Sequence, residues 1–225
     1  MTRVTIVEDH ELFAEALDVA ITLQGHEVRR VSAGDPGLSP ENLLHQVERQ
    51  RPQIVLLDLD LGPAGDGLAL VEPLARADIA VIVVSATVET PRLGECLRLG
   101  ARAVVAKSAP LNVIIAKIRC VAAGLPAMPR DEREQLLTSY HQEHRLVREI
   151  RAGLATLSRR ESEVLGELMT GATVTDIARS QYVSDATVRT QVKAIRTKLG
   201  VSSQLSAVGA AIRAHWQPPP RAEVG

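Results

Sequence analysis

The sequence predicts a doubly wound, five-stranded parallel α/β domain followed by a small all-helical domain. Two observations carry that prediction. Over residues 1–123, five short apolar runs alternate with five amphipathic segments, the pattern of successive βα units that cover both faces of a parallel sheet. Beyond residue 157, apolar residues recur at helical spacing between cap and glycine signals. The charge divides in the same place. Residues 1–121 carry 12 Lys/Arg against 16 Asp/Glu, whereas residues 157–217 carry 8 against 5, so the two parts suit different partners.

Arg3 to Val7 reads as a first strand ending at Glu8-Asp9, and Glu11 to Gln24 as a helix with Leu12, Phe13, Ala16, Leu17, Ala20 and Ile21 at helical spacing. Val28 to Val31 is a weaker strand, and Ser39-Pro40 opens a second helix with a cap and a proline at its first position. Ile54 to Leu57 is a continuous apolar run suited to a strand covered on both faces, ending at Asp58 before a glycine-rich loop. A helix over 67–77, a strand over 80–84 ending at Ser85, a helix capped at Thr90 and a strand over 103–106 ending at Lys107-Ser108 follow. A fifth helix fills 110–123.

In an open parallel sheet, ligands bind outside the carboxyl ends of the strands. Here those ends present Glu8-Asp9, Asp58, Ser85 and Lys107. Clustered carboxylates repel and call for a hard cation such as Mg²⁺, which takes oxygen ligands. A metal beside Asp58, the Ser85 hydroxyl and the Lys107 ammonium would together neutralise an acyl-phosphate built on Asp58.

With VEDH at 7–10, LLDLDLG at 56–62, VVSA at 83–86 and GARAVVAKSA at 100–109, residues 1–123 resemble the receiver domain of a two-component response regulator, whose fold is flavodoxin-like. The resemblance implies Asp58 as phospho-acceptor and Asp9 with Asp58 as direct Mg²⁺ ligands. It further implies Glu8 acting through water, the backbone carbonyl of Asp60 as a further ligand, and Ser85 and Lys107 on the phosphoryl oxygens. Many receivers carry an aromatic residue in the fifth strand where this chain has Val104, which puts the hydroxyl-to-aromatic relay in question. The run from Ile54 to Asp60 also fits the nucleophile loop of haloacid-dehalogenase-like phosphatases. In that family the acidic metal pair follows the lysine, whereas Glu8-Asp9 precedes it here.

Residues 124–156 read as a helical linker with a solvated surface, its heptad-like seam of Leu137, Tyr140, Val147 and Leu154 interrupted by His144 and Arg151; a short dimer-forming helix is the alternative. Ser158 with Glu161 forms a capping-box signal. Thr175 is expected to cap the next helix and Ser184 a third, Asp185 to Leu199; two short helices about a tight turn read as helix-turn-helix. On the third, Val188, Val192, Ile195 and Leu199 form a core stripe opposite Arg189, Thr190, Lys193, Arg196, Thr197 and Lys198, a basic face suited to DNA, with Thr175 and Ser184 as further candidate DNA contacts.

Residues 157–212 resemble the C-terminal domain of NarL/LuxR-type regulators, on the run LSRRESEVLGELMTGATVTDIARSQYVSDATVRTQVKAIRTKLGVSSQLSAV. The resemblance implies that Arg189, Thr190 and Lys193 approach bases while Arg196, Thr197 and Lys198 lie nearer phosphates. It also implies a dimer contact on the helix over 203–214. A histidine common in that family is Gln191 here. The expectation is a DNA-binding transcriptional regulator rather than an enzyme, with residues 157–214 as its reading domain and a disordered tail over 215–225. A sensor histidine kinase and a second copy of the chain are its expected partners. A phosphorylation-independent regulator is the alternative. No apolar run approaches a membrane span and no signal-peptide pattern opens the chain, so a cytoplasmic protein is expected.

Overall fold

The computed structural model describes residues 1–34, 39–87 and 89–218. The chain divides into two compact units, Met1–His141 and Gln142–Gly225.

In the first unit, strands β1 (Arg3–Glu8), β2 (Glu27–Ser32), β3 (Ile54–Leu57), β4 (Ala80–Ser85) and β5 (Ala103–Ala106) form one sheet in the order β2-β1-β3-β4-β5. All pairs are parallel. Helices α1 (Glu11–Thr22), α2 (Pro40–Arg49), α3 (Leu68–Arg76), α4 (Thr90–Arg98) and α5 (Leu111–Ala122) connect them. With so few aromatics the core is aliphatic, and every residue of β3 is buried in it. The edge strand β2 reads weakly because Arg29 and Arg30 face solvent, charge that discourages pairing with another sheet. Arg30 is held by Glu15 and Asp18 of α1, each at 3.4 Å.

Registration does the rest of the positioning. Val7 pairs with Leu57 and Ser85 with Ala106, so β1, β3, β4 and β5 deliver Glu8, Asp58, Ser85 and Lys107 to one end of the sheet. Ser39 caps α2 by accepting from the Asn42 N–H. The cap expected at Thr90 is not formed: Thr90 is already helical, Glu89 precedes it without a side-chain cap, and the Thr90 hydroxyl meets that of Ser139 at 3.0 Å.

The expected linker is a helix, α6 (Arg130–Ala155), and the boundary between the two units falls inside it. It is not a bare solvated spacer. Leu136 and Tyr140 are buried in the first unit, where Arg133 donates to the carbonyls of Leu97 and Ala101. Ile150 and Leu154 belong to the core of the second.

That second core is completed by α7 (Arg159–Met169), α8 (Val174–Ser180), α9 (Asp185–Leu199) and α10 (Gln204–Arg213). Ser158 and Glu161 form the expected capping box, and Ser184 caps α9. Thr175 does not cap α8. Thr173 does, because the acid that reciprocates, Asp176, stands three residues after Thr173; Thr175 lies inside the helix and donates to Asp185 at 2.9 Å. The tail expected from 215 is partly packed, since Trp216 lies against this core and its backbone N–H donates to Ala211. Residues 219–225 lie outside those described.

Candidate functional site

Asp58 leaves β3 with its side chain buried. Its Oδ1 accepts from the Leu59 N–H at 2.7 Å, and its Oδ2 lies 2.6 Å from Lys107 Nζ. The same ammonium donates to Glu8 Oε1 at 2.7 Å. Burial pushes the Glu8 carboxyl above its ordinary value against the opposing pull of Lys107. Burial alone would lower Lys107, but its bonds to Asp58 and Glu8 outweigh that and raise it, so it remains an ammonium.

Asp9 stands beside this pair, and His10 bridges the acids, with Nδ1 2.7 Å from Asp9 Oδ1 and 3.2 Å from Glu8 Oε1. Asp9 holds the exposed imidazole above its usual range, Glu8 adding to the effect. Asp9 Oδ1 and Asp58 Oδ2 are buried without an aligned hydrogen-bond partner, despite the His10 imidazole and the Lys107 ammonium at ion-pair distance. Ligand-capable atoms of Glu8, Asp9, His10 and Asp58 all fall within 4.8 Å of one another. Under-satisfied carboxylate oxygens around one shared ammonium are the donor set a hard divalent cation satisfies, so these residues fit Mg²⁺.

Two glycines give the site its shape. Gly62 has φ +54°, and a Cβ there would sit 3.1 Å from Asp9 Oδ2, narrowing the flank beside the acids. At Gly67 a Cβ would meet the Asp58 carbonyl at 2.0 Å, so only glycine lets α3 start this close. Ser85 is buried and accepts from the Thr87 N–H at 3.2 Å. Asp58, Asp60, Ser85, Ala86, Thr87 and Lys107 line one open concavity. Val104 is a buried aliphatic member of β5. His10 and Arg92 also line the concavity, neither of them expected there from the sequence. His10 stood inside the motif VEDH, a usable signal; Arg92 follows an ordinary helix-opening proline and has no signal of its own.

In the second unit, α9 turns Val188, Val192, Ile195 and Leu199 inward as its spacing requires. Arg189, Thr190 and Lys193 are exposed on it, and no ion pair is formed by Arg189 or Lys193 among the described residues. Arg196 and Lys198 are placed differently from the outward set expected. Arg196 donates to the Ser202 carbonyl. Lys198 reaches back to Glu161 Oε2 at 2.6 Å and the Thr156 carbonyl at 3.0 Å, stitching the end of α9 to the start of α7. Burial would raise the Glu161 carboxyl, but Lys198 and the Ser158 cap overcome it and hold it below its usual range. Thr197 and Thr190 bond back to carbonyls one turn earlier. Ser184 and Thr175 are occupied in capping and in the contact with Asp185.

Comparison with known proteins bears on both units. The family described as "Response regulator receiver domain" matches residues 4–119, and "Bacterial regulatory proteins, luxR family" matches 155–211. The probable transcriptional regulatory protein NarL of Mycobacterium tuberculosis is 30% identical over 217 residues, spanning 94% of each chain. The transcriptional regulatory protein DegU of Brevibacillus brevis is 26% identical over 230 residues, spanning 95% of this chain and 94% of its own. Among solved structures, RcsB from Salmonella enterica serovar Typhimurium bound to promoter P1flhDC superimposes with a TM-score of 0.52 at 22% identity, covering 94% of this chain and 98% of that one. That likeness is one of fold.

Proposed function

This chain belongs to the two-component response regulators with a LuxR-type DNA-binding domain, proteins that control transcription, and from that premise we propose that Asp58 is its phospho-acceptor and governs DNA binding. The observation that carries the reading is the convergence of Glu8, Asp9, Asp58, Ser85 and Lys107 from four strand ends at one end of the sheet, where Asp58, Ser85 and Lys107 line one concavity and Glu8 and Asp9 cluster with Asp58. A sensor histidine kinase supplies the phosphoryl group. Its P–N bond breaks as a bond forms to an Asp58 carboxylate oxygen, and the imidazole nitrogen keeps the electron pair.

Lys107, already within 2.6 Å of Asp58, holds one phosphoryl oxygen. The Ser85 hydroxyl binds another, and small Ala86 leaves the approach open. Asp9 and Asp58 would hold Mg²⁺ directly, Glu8 through water and Asp60 by its backbone carbonyl; the ion supplies charge neutralisation at the acyl-phosphate. The site binds and keeps a phosphoryl group as a signal, so the protein acts as a regulator rather than a turnover catalyst.

In the second unit, Arg189, Thr190 and Lys193 face the DNA major groove. Arg196 and Thr197 stand nearer its backbone, while Lys198 is withdrawn from this set by its bond to Glu161. Leu205 and Ile212 are exposed on the outer face of α10, an apolar surface suited to pairing two copies on two half-sites. A second reading, a regulator that binds DNA without phosphorylation, is favoured by Val104 alone.

The test is intact mass after incubation with acetyl phosphate and Mg²⁺, in which acetate leaves as the Asp58 acyl-phosphate forms. The chain should gain one phosphoryl group and Asp58→Asn none. Equal labelling of the variant would overturn the assignment.

A further inference from the structure

Two features of the first unit are left over. Arg92, in the first turn of α4, lines it together with Asp58, Ser85, Thr87 and Lys107. Its terminal nitrogen lies 3.0 Å from Asp66 Oδ1 on the opposite rim, while its Nε is buried without a hydrogen-bond partner. A buried N–H left unpaired is costly, which marks this arrangement as one the guanidinium can improve on. The second feature is Val104, which leaves the fifth strand without the ring that would couple an occupied Asp58 to the rest of the domain.

We propose that Arg92 is a second phosphoryl-binding cation: when Asp58 is phosphorylated, the guanidinium leaves Asp66 and pairs with the phosphoryl oxygens, bringing the first turn of α4 with it. This rests on Asp58 being the phospho-acceptor. Charge requires such a group. Lys107 and the Mg²⁺ that the acids would hold together bring three positive charges, against four negative ones on Glu8, Asp9 and a phosphoryl dianion, so one negative charge is left for a further cation. The present pair is weakly held, since the side chains of Arg92 and Asp66 are 37% and 49% exposed and water screens them. A phosphoryl group in the concavity offers a stronger acceptor whose oxygens match the guanidinium fork, including the idle Nε. The helix that moves is one with a reader attached: α4 carries Gly94, where a Cβ would lie 2.1 Å from the Leu136 carbonyl of α6. A shift of α4 therefore reaches α6 through backbone contact, with no ring needed in β5.

The experiment is a ¹⁹F NMR titration of the full chain with beryllofluoride and Mg²⁺, the fluoride complex standing in for the phosphoryl group on Asp58. The wild-type chain should bind one complex and Asp58→Asn none. Arg92→Ala should weaken binding about tenfold, the loss of one charge-assisted contact. Asp66→Asn should tighten it, because the competing carboxylate charge is gone while the amide oxygen still accepts from the Leu68 N–H, now at 2.9 Å. Opposite signs in the two variants distinguish a transferable cation from a structural ion pair, whose loss would act in the same direction from either side. Should Arg92→Ala fail to fold, the Asp66→Asn arm decides alone: unchanged or weakened binding overturns the proposal. Wild-type binding that is indifferent to both substitutions overturns it while leaving Asp58 in place. No binding, or binding retained in Asp58→Asn, overturns the phospho-acceptor reading and this inference together.

Discussion

The charge on individual side chains decides what each can do here. Among the described residues Asp9 has no ion-pair partner of its own beyond the exposed His10, and it crowds two other carboxylates. Asp9→Ala should therefore abolish labelling by acetyl phosphate while leaving the fold intact. It should also raise stability by on the order of 1 kcal/mol as repulsion is relieved, read as an increase in denaturation midpoint. Lys193 and Lys198 make the opposite point, two lysines on one helix with different work. Lys193 is exposed, so Lys193→Ala should cost roughly 1–3 kcal/mol of discrimination between specific and random DNA. Lys198 is spent on Glu161, so Lys198→Ala should leave DNA affinity unchanged and lower stability instead. Because the folded Glu161 carboxyl lies below its ordinary value of 4.5, that stability is present above pH 4.5 and fades as pH falls through the lower folded value. The gap between wild type and Lys198→Ala in thermal midpoint should close over that range. A lysine's letter shows its charge and not its partner, which is why the sequence placed both on the DNA face.

At the scale of elements, legibility followed the strength of local signals. The bounds of β3, β5 and α9 were readable to the residue, because each strand is a bare apolar run that a polar residue ends and α9 lies between a serine cap and Gly200 in the left-handed region. Thr173 and Thr175 were both plausible caps, and the acid three residues after Thr173 was the signal that separates them. The packing of α6 was legible only in part: Tyr140 and Leu154 of the expected seam are buried, while Leu136 and Ile150 share that face but were missed, because polar residues interrupt the stripe and its two ends serve different units. The acidic site was legible in five of its residues because strand ends are easy to locate; the Arg92–Asp66 pair was not, because it joins the first turn of α4 to the loop before α3, 26 residues away in sequence. Gly94 is the element-scale test. It is buried within α4, and a methyl there meets the Leu136 backbone. Although alanine favours a helix, Gly94→Ala should destabilise the first unit by about 1–3 kcal/mol through overpacking. Chemical denaturation measures it, and an unchanged or raised midpoint would show that α6 is not seated there.

For the whole molecule, the central claim is that chemistry at one buried carboxylate controls occupancy of DNA. Neither unit suffices: the first holds the acidic concavity and the second holds the basic face of α9. A population shift explains the connection only if the phosphorylated form favours a DNA-competent state over the resting one. Val104 makes this a live question, since the ring often used for coupling is missing. The direct measurement is genome-wide footprinting of the wild-type chain and Asp58→Asn, each with and without acetyl phosphate and Mg²⁺. Footprints that appear or strengthen with the donor in wild type, and do not respond in Asp58→Asn, are the predicted result. Footprints of equal strength with and without the donor in wild type would contradict it.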